Sequence, residues 1–388
     1  MRHLPLAATA LVLALAVIPL ADGPILAARD AARLPEPDRA AEPGGYYEGL
    51  ISGAGGEGVR SELALKMLGK PTAWASFHEA GATRYRKADF LLFELWPNAS
   101  AKVLGDRFTT NRQALRDREY SVAKPPGTYR IALLGSSIDM GWGVGTEQTY
   151  ENRFEDWLNH HAARRGIGRR FEVLNFAVAA YGPLQRLDAF RRKVDAFQPD
   201  LVLDSATMLD TRLVELHLCK LLGCGIDPKY PFVRRAVAGA GLTDAPRTRD
   251  AGGELLDKPG AKAKLRPRLW GLADDALGEL AAECRSRGLP LAMLIVPRAG
   301  KADAPDARAP GVARLRGIAA RHAVPVLDLS ATFDRRDPAA LQLAAWDDHP
   351  NAEGHRLLFL SLARALVRNA DLYRAVFDAP PPAAEDRP

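Results

Sequence analysis

The stretch LLGSSIDMGWGV, Leu133–Val144, decides how the rest of the chain is read. A short apolar run stops at Gly135, two serines follow, and Gly141, Gly143 and Gly145 come soon after. This pattern is that of a buried strand ending in a tight loop. Glycine there lets the backbone approach a ligand closely and leaves amide N–H groups open. Ser136 and Ser137 then sit at the carboxyl end of the strand.

Outward from that point, strand and helix patterns alternate. The strand candidates are YRIALLG (Tyr129–Gly135), FEVLNFAV (Phe171–Val178), PDLVLDSAT (Pro199–Thr207), LPLAMLIVP (Leu289–Pro297) and VPVLDLS (Val324–Ser330). Between them lie helix patterns: TYENRFEDWLNHH (Thr149–His161), with Tyr150, Phe154, Trp157 and Leu158 at helical spacing, then Leu184–Phe197, Leu272–Gly288 and Val312–Ala323. A last helix begins near Asn351, with Pro350 expected in its first turn. The stretch from about Asp210 to Pro267 reads as irregular. Strands alternating with helices imply a parallel sheet covered on both faces. The expected fold is α/β, flavodoxin-like, a three-layer α/β/α sandwich with a five-stranded parallel sheet. Ligands in such folds bind at the carboxyl ends of the strands.

That edge is where Ser137 is placed. A nucleophilic hydroxyl needs a base, and the base needs a group that orients it. WDDHPNAEGH (Trp346–His355) supplies both, with Asp347 two residues before His349, just ahead of the last helix. Taken alone, each feature is also compatible with helix capping or an ordinary turn. Their combination and order in this frame point to acyl chemistry.

On these residues the chain resembles the SGNH (GDSL-type) hydrolases, exported bacterial members in particular. Gly135–Ser137 matches the family's G-D-S block, which makes Ser137 the nucleophile. NFAVAAYG (Asn175–Gly182) matches the second block and puts Ala180 where the family keeps an oxyanion glycine. TMLD (Thr207–Asp210) falls on the G-x-N-D block, and Asp347, His349 and PNAEGH on the last. Phe108–Ile131 also looks like the lead-in of exported members. The resemblance implies catalysis by Ser137, His349 and Asp347, with the main-chain N–H groups of Ser137 and Ala180 as the oxyanion hole. It implies an ester hydrolase or a carbohydrate O-acyltransferase, with no cofactor and no metal. The expected substrate is an acylated carbohydrate of the envelope or an exopolysaccharide, or a small ester.

Three departures from the family pattern bear on the chemistry. Ser136 replaces the acidic residue beside the nucleophile and Ala180 the glycine. Leu209 replaces the block-three asparagine, whose amide donates to the oxyanion. Losing one such donor costs roughly 10²–10³ in rate. Ser205, Thr207 or another main-chain N–H is expected to stand in. A non-catalytic glycan-binding or assembly protein is the reading that competes with an enzyme.

Export is expected from the N-terminus. A basic start precedes an apolar run from Leu4 to Ala21, which is read as a signal peptide or membrane anchor within residues 1–28. Residues 29–125 form a lead-in, 126–375 the hydrolase-like domain with an insertion at about 211–267, and 376–388 a disordered proline-rich tail. The net charge of +6 is mild for 388 residues and argues against a nucleic-acid partner. Of the three cysteines, Cys219 and Cys224 are spaced to close a small disulfide loop, and Cys284 reads as a buried thiol. His160 and His161 read as solvated rather than metal-binding.

Overall fold

The computed structural model describes residues 80–85, 88–103, 106–243, 255, 257–300 and 303–382. Four short strands come first: β1 (Thr83–Tyr85), β2 (Phe93–Leu95), β3 (Ser100–Val103) and β4 (Asp106–Thr109). They form two antiparallel hairpins, β1 with β2 and β3 with β4. The alternating body follows: β5 (Thr128–Leu134), α1 (Ser137–Met140), α2 (Tyr150–Arg164), β6 (Arg170–Asn175), α3 (Pro183–Arg192), β7 (Leu201–Ala206) and α4 (Asp210–Cys224). Next are α5 (Pro231–Gly239), α6 (Lys258–Leu265), α7 (Leu269–Ser286), β8 (Leu291–Ile295), α8 (Pro305–Arg321) and β9 (Val326–Asp328). A hairpin of β10 (Gln342–Ala344) and β11 (Asp347–Pro350) leads into α9 (Ala352–Arg368) and α10 (Ala370–Phe377).

Strands β5 to β9 form one parallel sheet in the order β6-β5-β7-β8-β9. The strands are apolar because both faces are covered. On β5, Ile131 and Leu133 pack with Tyr150, Phe154 and Leu158 of α2 and Leu358 and Leu362 of α9. Ala132 and Leu134 belong to the opposite core with Leu184 and Leu187 of α3, Leu213 of α4 and Leu277 of α7. The period-two alternation of a strand thus divides one apolar run between two cores. The described part of the lead-in belongs to the second core through Leu91, Leu92 and Phe93, and Tyr181 donates its hydroxyl to the Phe93 carbonyl at 2.6 Å.

Several expectations are corrected. The stretch read as irregular holds three helices, α4, α5 and α6. Helix α4 is buried on almost every side, from Leu213 to Leu221, so its sequence lacks the polar face that marks a surface helix. Cys219 and Cys224 lie on this one helix and form no disulfide. Five residues along an α-helix separate Cα atoms by about 8.7 Å and turn the side chains by about 140°, beyond the reach of a bridge. Cys284 is buried, and burial pushes its thiol up to about 12.

Pro350 ends β11 instead of opening α9, whose N-cap is Asn351. His160 is exposed, but His161 stacks on Trp157 with ring centroids 4.8 Å apart, and its Nε2 lies 2.7 Å from the Tyr373 hydroxyl. The boundary of the tail moves outward, because Val376 and Phe377 of α10 are core residues. Residues 1–28, including the apolar run 4–21, and residues 383–388 lie outside the described residues. Among the described residues no helix is long and apolar enough to cross a membrane.

Candidate active site

At the carboxyl end of β5 the chain turns sharply at Gly135. A Cβ there would lie 2.3 Å from Oδ2 of Asp139, so no larger residue fits. Asp139 is the reason for that closeness. Its Oδ2 accepts from the Ser136 N–H at 2.8 Å, and its Oδ1 accepts from the hydroxyls of Tyr150 at 2.6 Å and Ser205 at 2.7 Å. Asp139 is fully buried, and burial raises its carboxyl above the usual range although these donors and Arg186 pull the other way. A carboxylate three residues beyond Ser136 thus braces this turn. Ser136-x-x-Asp139 is a helix-start spacing visible in the sequence, and its role at this turn was not read from it.

Asn175 ties the second block to the same turn. Its Nδ2 donates to the Asp139 carbonyl at 2.8 Å and to Oε1 of Glu151 at 3.0 Å. Its backbone N–H donates to Asp117 at 2.8 Å. Burial pushes the Asp117 carboxyl up to about 8, against the pull of that N–H and with a further push from Glu155. Burial likewise raises Glu151, with Asp117 adding to it.

Ser137 opens α1 with its hydroxyl 2.7 Å from Nε2 of His349. The other ring nitrogen of His349, Nδ1, lies 2.5 Å from Oδ1 of Asp347. The Asp-x-His spacing now has a structural reason. Both residues lie on β11, where positions two apart point to the same face. The Asn351 side chain caps α9 by accepting from the N–H groups of Glu353 and Gly354, which fixes where β11 ends. Ser137, His349 and Asp347 are 4%, 3% and 5% exposed, so their hydrogen bonds operate largely away from water. Burial alone would raise the Asp347 carboxyl. The charge of His349, its two hydrogen bonds and that of Trp142 outweigh this and hold it below the usual range. With Nδ1–H turned to the carboxylate, Nε2 is left to accept the serine proton.

The expected oxyanion groups are less ordinary. Ala180 is fully buried with φ +65°, in the left-handed region that costs a non-glycine residue roughly 1–2 kcal/mol. Its backbone is thus in a conformation that a glycine adopts freely. Among the described residues no protein acceptor takes the N–H of Ser137 or Ala180. Because only a main-chain donor is needed there, Ala180→Gly is expected to leave kcat within a few-fold of wild type in an ester assay. Relief of strain and loss of a buried methyl offset each other in stability. Ala180→Val, with a branched side chain in the same region, is expected to lower the melting temperature clearly.

Leu209 is 9% exposed and belongs to the apolar core. The two side chains expected to substitute for the lost amide are engaged elsewhere. The Ser205 hydroxyl donates to Asp139, and the Thr207 hydroxyl lies 3.4 Å from Oδ1 of Asp210 while accepting from the Leu209 N–H at 3.2 Å. Beneath this turn, the buried Arg186 bridges Asp204 at 2.7 Å and Asp210 at 2.8 Å. Main-chain N–H groups are thus the donors left for an oxyanion. Leu209→Asn is expected to raise kcat by about tenfold or more at similar KM, since an amide donor acts in the transition state. The melting temperature should fall, because an amide unsatisfied in the free enzyme costs about 1–3 kcal/mol. A folded variant with unchanged kcat would mean that no donor is missing.

Ligand atoms of Asp347, Asp348 and His349 lie within 4.8 Å of one another. Asp347 and His349 are spent on each other, however, and Asp348 pairs with Arg298 at 3.0 Å, so the cluster's charges are already met.

The sheet order, with a Ser-His-Asp series at its carboxyl edge, is the arrangement of the SGNH hydrolase superfamily. The model of the GDSL-like lipase/acylhydrolase family matches residues 133–357, from β5 into α9, and the chain belongs to that family. Similar solved structures include TesA, at 12% identity over 61% of this chain and 97% of that one, TM-score 0.37. Another is a mutant of Axe2, an acetyl-xylooligosaccharide esterase from Geobacillus Stearmophilus, at 16% identity over 61% and 94%, TM-score 0.39. The acetyl xylan esterase AlAXEase is 11% identical over 60% and 97%, TM-score 0.36. No match was found among curated protein sequences.

Proposed function

We propose that the protein is a serine-dependent acyl ester hydrolase that acts outside the cytoplasm on an acylated carbohydrate of the envelope or an exopolysaccharide. The observation that carries the hydrolase reading is the series from Ser137 Oγ through His349 to Asp347, with contacts of 2.7 Å and 2.5 Å. His349 takes the proton of Ser137 as its oxygen attacks the ester carbonyl. Asp347 holds the imidazole in the tautomer that leaves Nε2 free to accept, and stabilises the imidazolium that forms. The N–H groups of Ser137 and Ala180 receive the developing oxyanion. Collapse of the tetrahedral intermediate expels the alcohol, which takes the proton back from His349. Water then cleaves the acyl-serine by the same route.

The extracytoplasmic part of the proposal is supported by the basic start and the apolar run from Leu4 to Ala21. The carbohydrate part is supported by the family's acylhydrolase chemistry and follows from the proposed location. The test is acetate release from an O-acetylated polysaccharide by the purified protein, together with fractionation of cells expressing the full chain. Release that depends on Ser137, by protein found outside the cytoplasm, is the expected result. Cleavage of p-nitrophenyl acetate without release from any acetylated polysaccharide would overturn the carbohydrate assignment. Acyl transfer to an added oligosaccharide in place of release would make a sugar hydroxyl the acceptor instead of water.

A further inference from the structure

The Gly-Trp-Gly segment after the nucleophile helix is built around one side chain. Gly141 has φ +79° and Gly143 φ +71°, both in the left-handed region that glycine alone adopts freely. A side chain at either position would also displace a neighbour. A Cβ on Gly141 would lie 2.3 Å from Cγ2 of Thr149 and 2.6 Å from Nη1 of Arg116, and one on Gly143 would lie 2.3 Å from Cδ1 of Leu343. The buried Arg116 holds both ends of this loop, donating from Nη1 to the Met140 carbonyl at 2.9 Å and from Nη2 to that of Val144. Between the glycines, Trp142 is 1% exposed.

The two N–H groups of Trp142 reach two different members of the Ser-His-Asp series. Its backbone N–H donates to the carbonyl of Ser137 at 2.9 Å. Its indole Nε1–H donates to Oδ2 of Asp347 at 3.1 Å, the carboxylate oxygen that His349 does not use. Its ring lies 5.9 Å from that of His349, tilted by 39°.

We propose that Trp142 is a positioning residue that locks the nucleophile loop to the Asp347 carboxylate, so that Ser137, His349 and Asp347 form one pre-set unit. The proposal rests on the hydrolase reading above. Physically, an Asp347 with one oxygen engaged can rotate about its χ2 axis and carry His349 out of line with Ser137. A second donor on the other oxygen removes that rotation. Catalytic groups lose efficiency steeply when misplaced by about 1 Å, so the indole N–H acts on rate through the carboxylate and not on substrate binding.

The experiment is a double-mutant cycle with p-nitrophenyl acetate on the full chain, using wild type, Trp142→Phe, Asp347→Asn and the double variant. Phenylalanine keeps an aromatic ring and removes the N–H. Trp142→Phe is expected to lower kcat by about tenfold, the scale of one hydrogen bond to a charged group, with KM within twofold; the melting temperature falls as well, because a buried indole is shortened and Oδ2 of Asp347 loses its donor. The loss is expected to vanish when Asp347→Asn is already present. An equal fold-loss in both backgrounds, or full activity of Trp142→Phe, overturns the proposal. If wild type is no faster than Ser137→Ala, it is the hydrolase reading that fails. The contact is then read from the Trp142 indole N–H resonance, assigned by its disappearance in Trp142→Phe. Slow hydrogen exchange that speeds up in Asp347→Ala supports the lock, and exchange that does not change overturns it.

Discussion

Ser137→Ala is expected to reduce hydrolysis of p-nitrophenyl acetate by about 10⁴-fold or more, leaving only the residual rate that binding and the main-chain donors supply. The Ser137 hydroxyl contacts His349 Nε2 and is placed as the nucleophile of the proposed mechanism. An alanine at the first position of α1 keeps the helix, and the loss of one hydrogen bond costs on the order of 1 kcal/mol. Stability should therefore change little while rate collapses. The neighbouring Ser136 offers an internal control. Its backbone N–H is what Asp139 uses, so Ser136→Ala should retain most of the activity. Substantial turnover by Ser137→Ala would remove the serine mechanism, and loss only in Ser136→Ala would reassign the nucleophile.

Asp347→Asn is expected to lower kcat by about 10³–10⁴-fold in a protein that remains folded. The argument is one of donors and acceptors. Asp347 receives three N–H groups: the backbone and Nδ1 of His349 on Oδ1, at 3.1 Å and 2.5 Å, and the Trp142 indole on Oδ2, at 3.1 Å. An ionised carboxylate is all acceptor and satisfies them all. An asparagine has one acceptor and one donor, so either its NH₂ faces the indole N–H or it faces His349. In the second case it stabilises the imidazole tautomer with a bare Nδ1 and a protonated Nε2, which cannot accept the serine proton. A kcat within tenfold of wild type would show that His349 does not depend on Asp347 for its tautomer.

Much of this molecule was legible because its signals are local. The five strands of the sheet were readable as apolar runs bounded by turn residues, since burial on both faces leaves few polar positions within them. Ser137 stood out because Gly135 marks where β5 must stop, and the Asp347–His349 pair because a spacing of two places both side chains on one face of a strand. Helix α4 was not legible for the converse reason. Its residues are buried nearly all round, so no polar stripe reveals a helical period, and without that period the spacing of Cys219 and Cys224 fits a small disulfide loop as well as a helix.

What the sequence by itself determined, then, is the alternation of elements, the carboxyl edge of the sheet as the candidate site, and the identity of the three residues brought together there. Tertiary structure alone decided the rest. Trp142 meets Asp347 across 205 residues, and Ser205 meets Asp139 across 66. No periodicity encodes such contacts, because they depend on how separate elements stack over the sheet. The same stacking occupies the hydroxyls of Ser205 and Thr207 and holds Ala180 in a left-handed backbone. Side-chain chemistry can be read residue by residue, whereas which partner consumes each donor is a property of the packed whole.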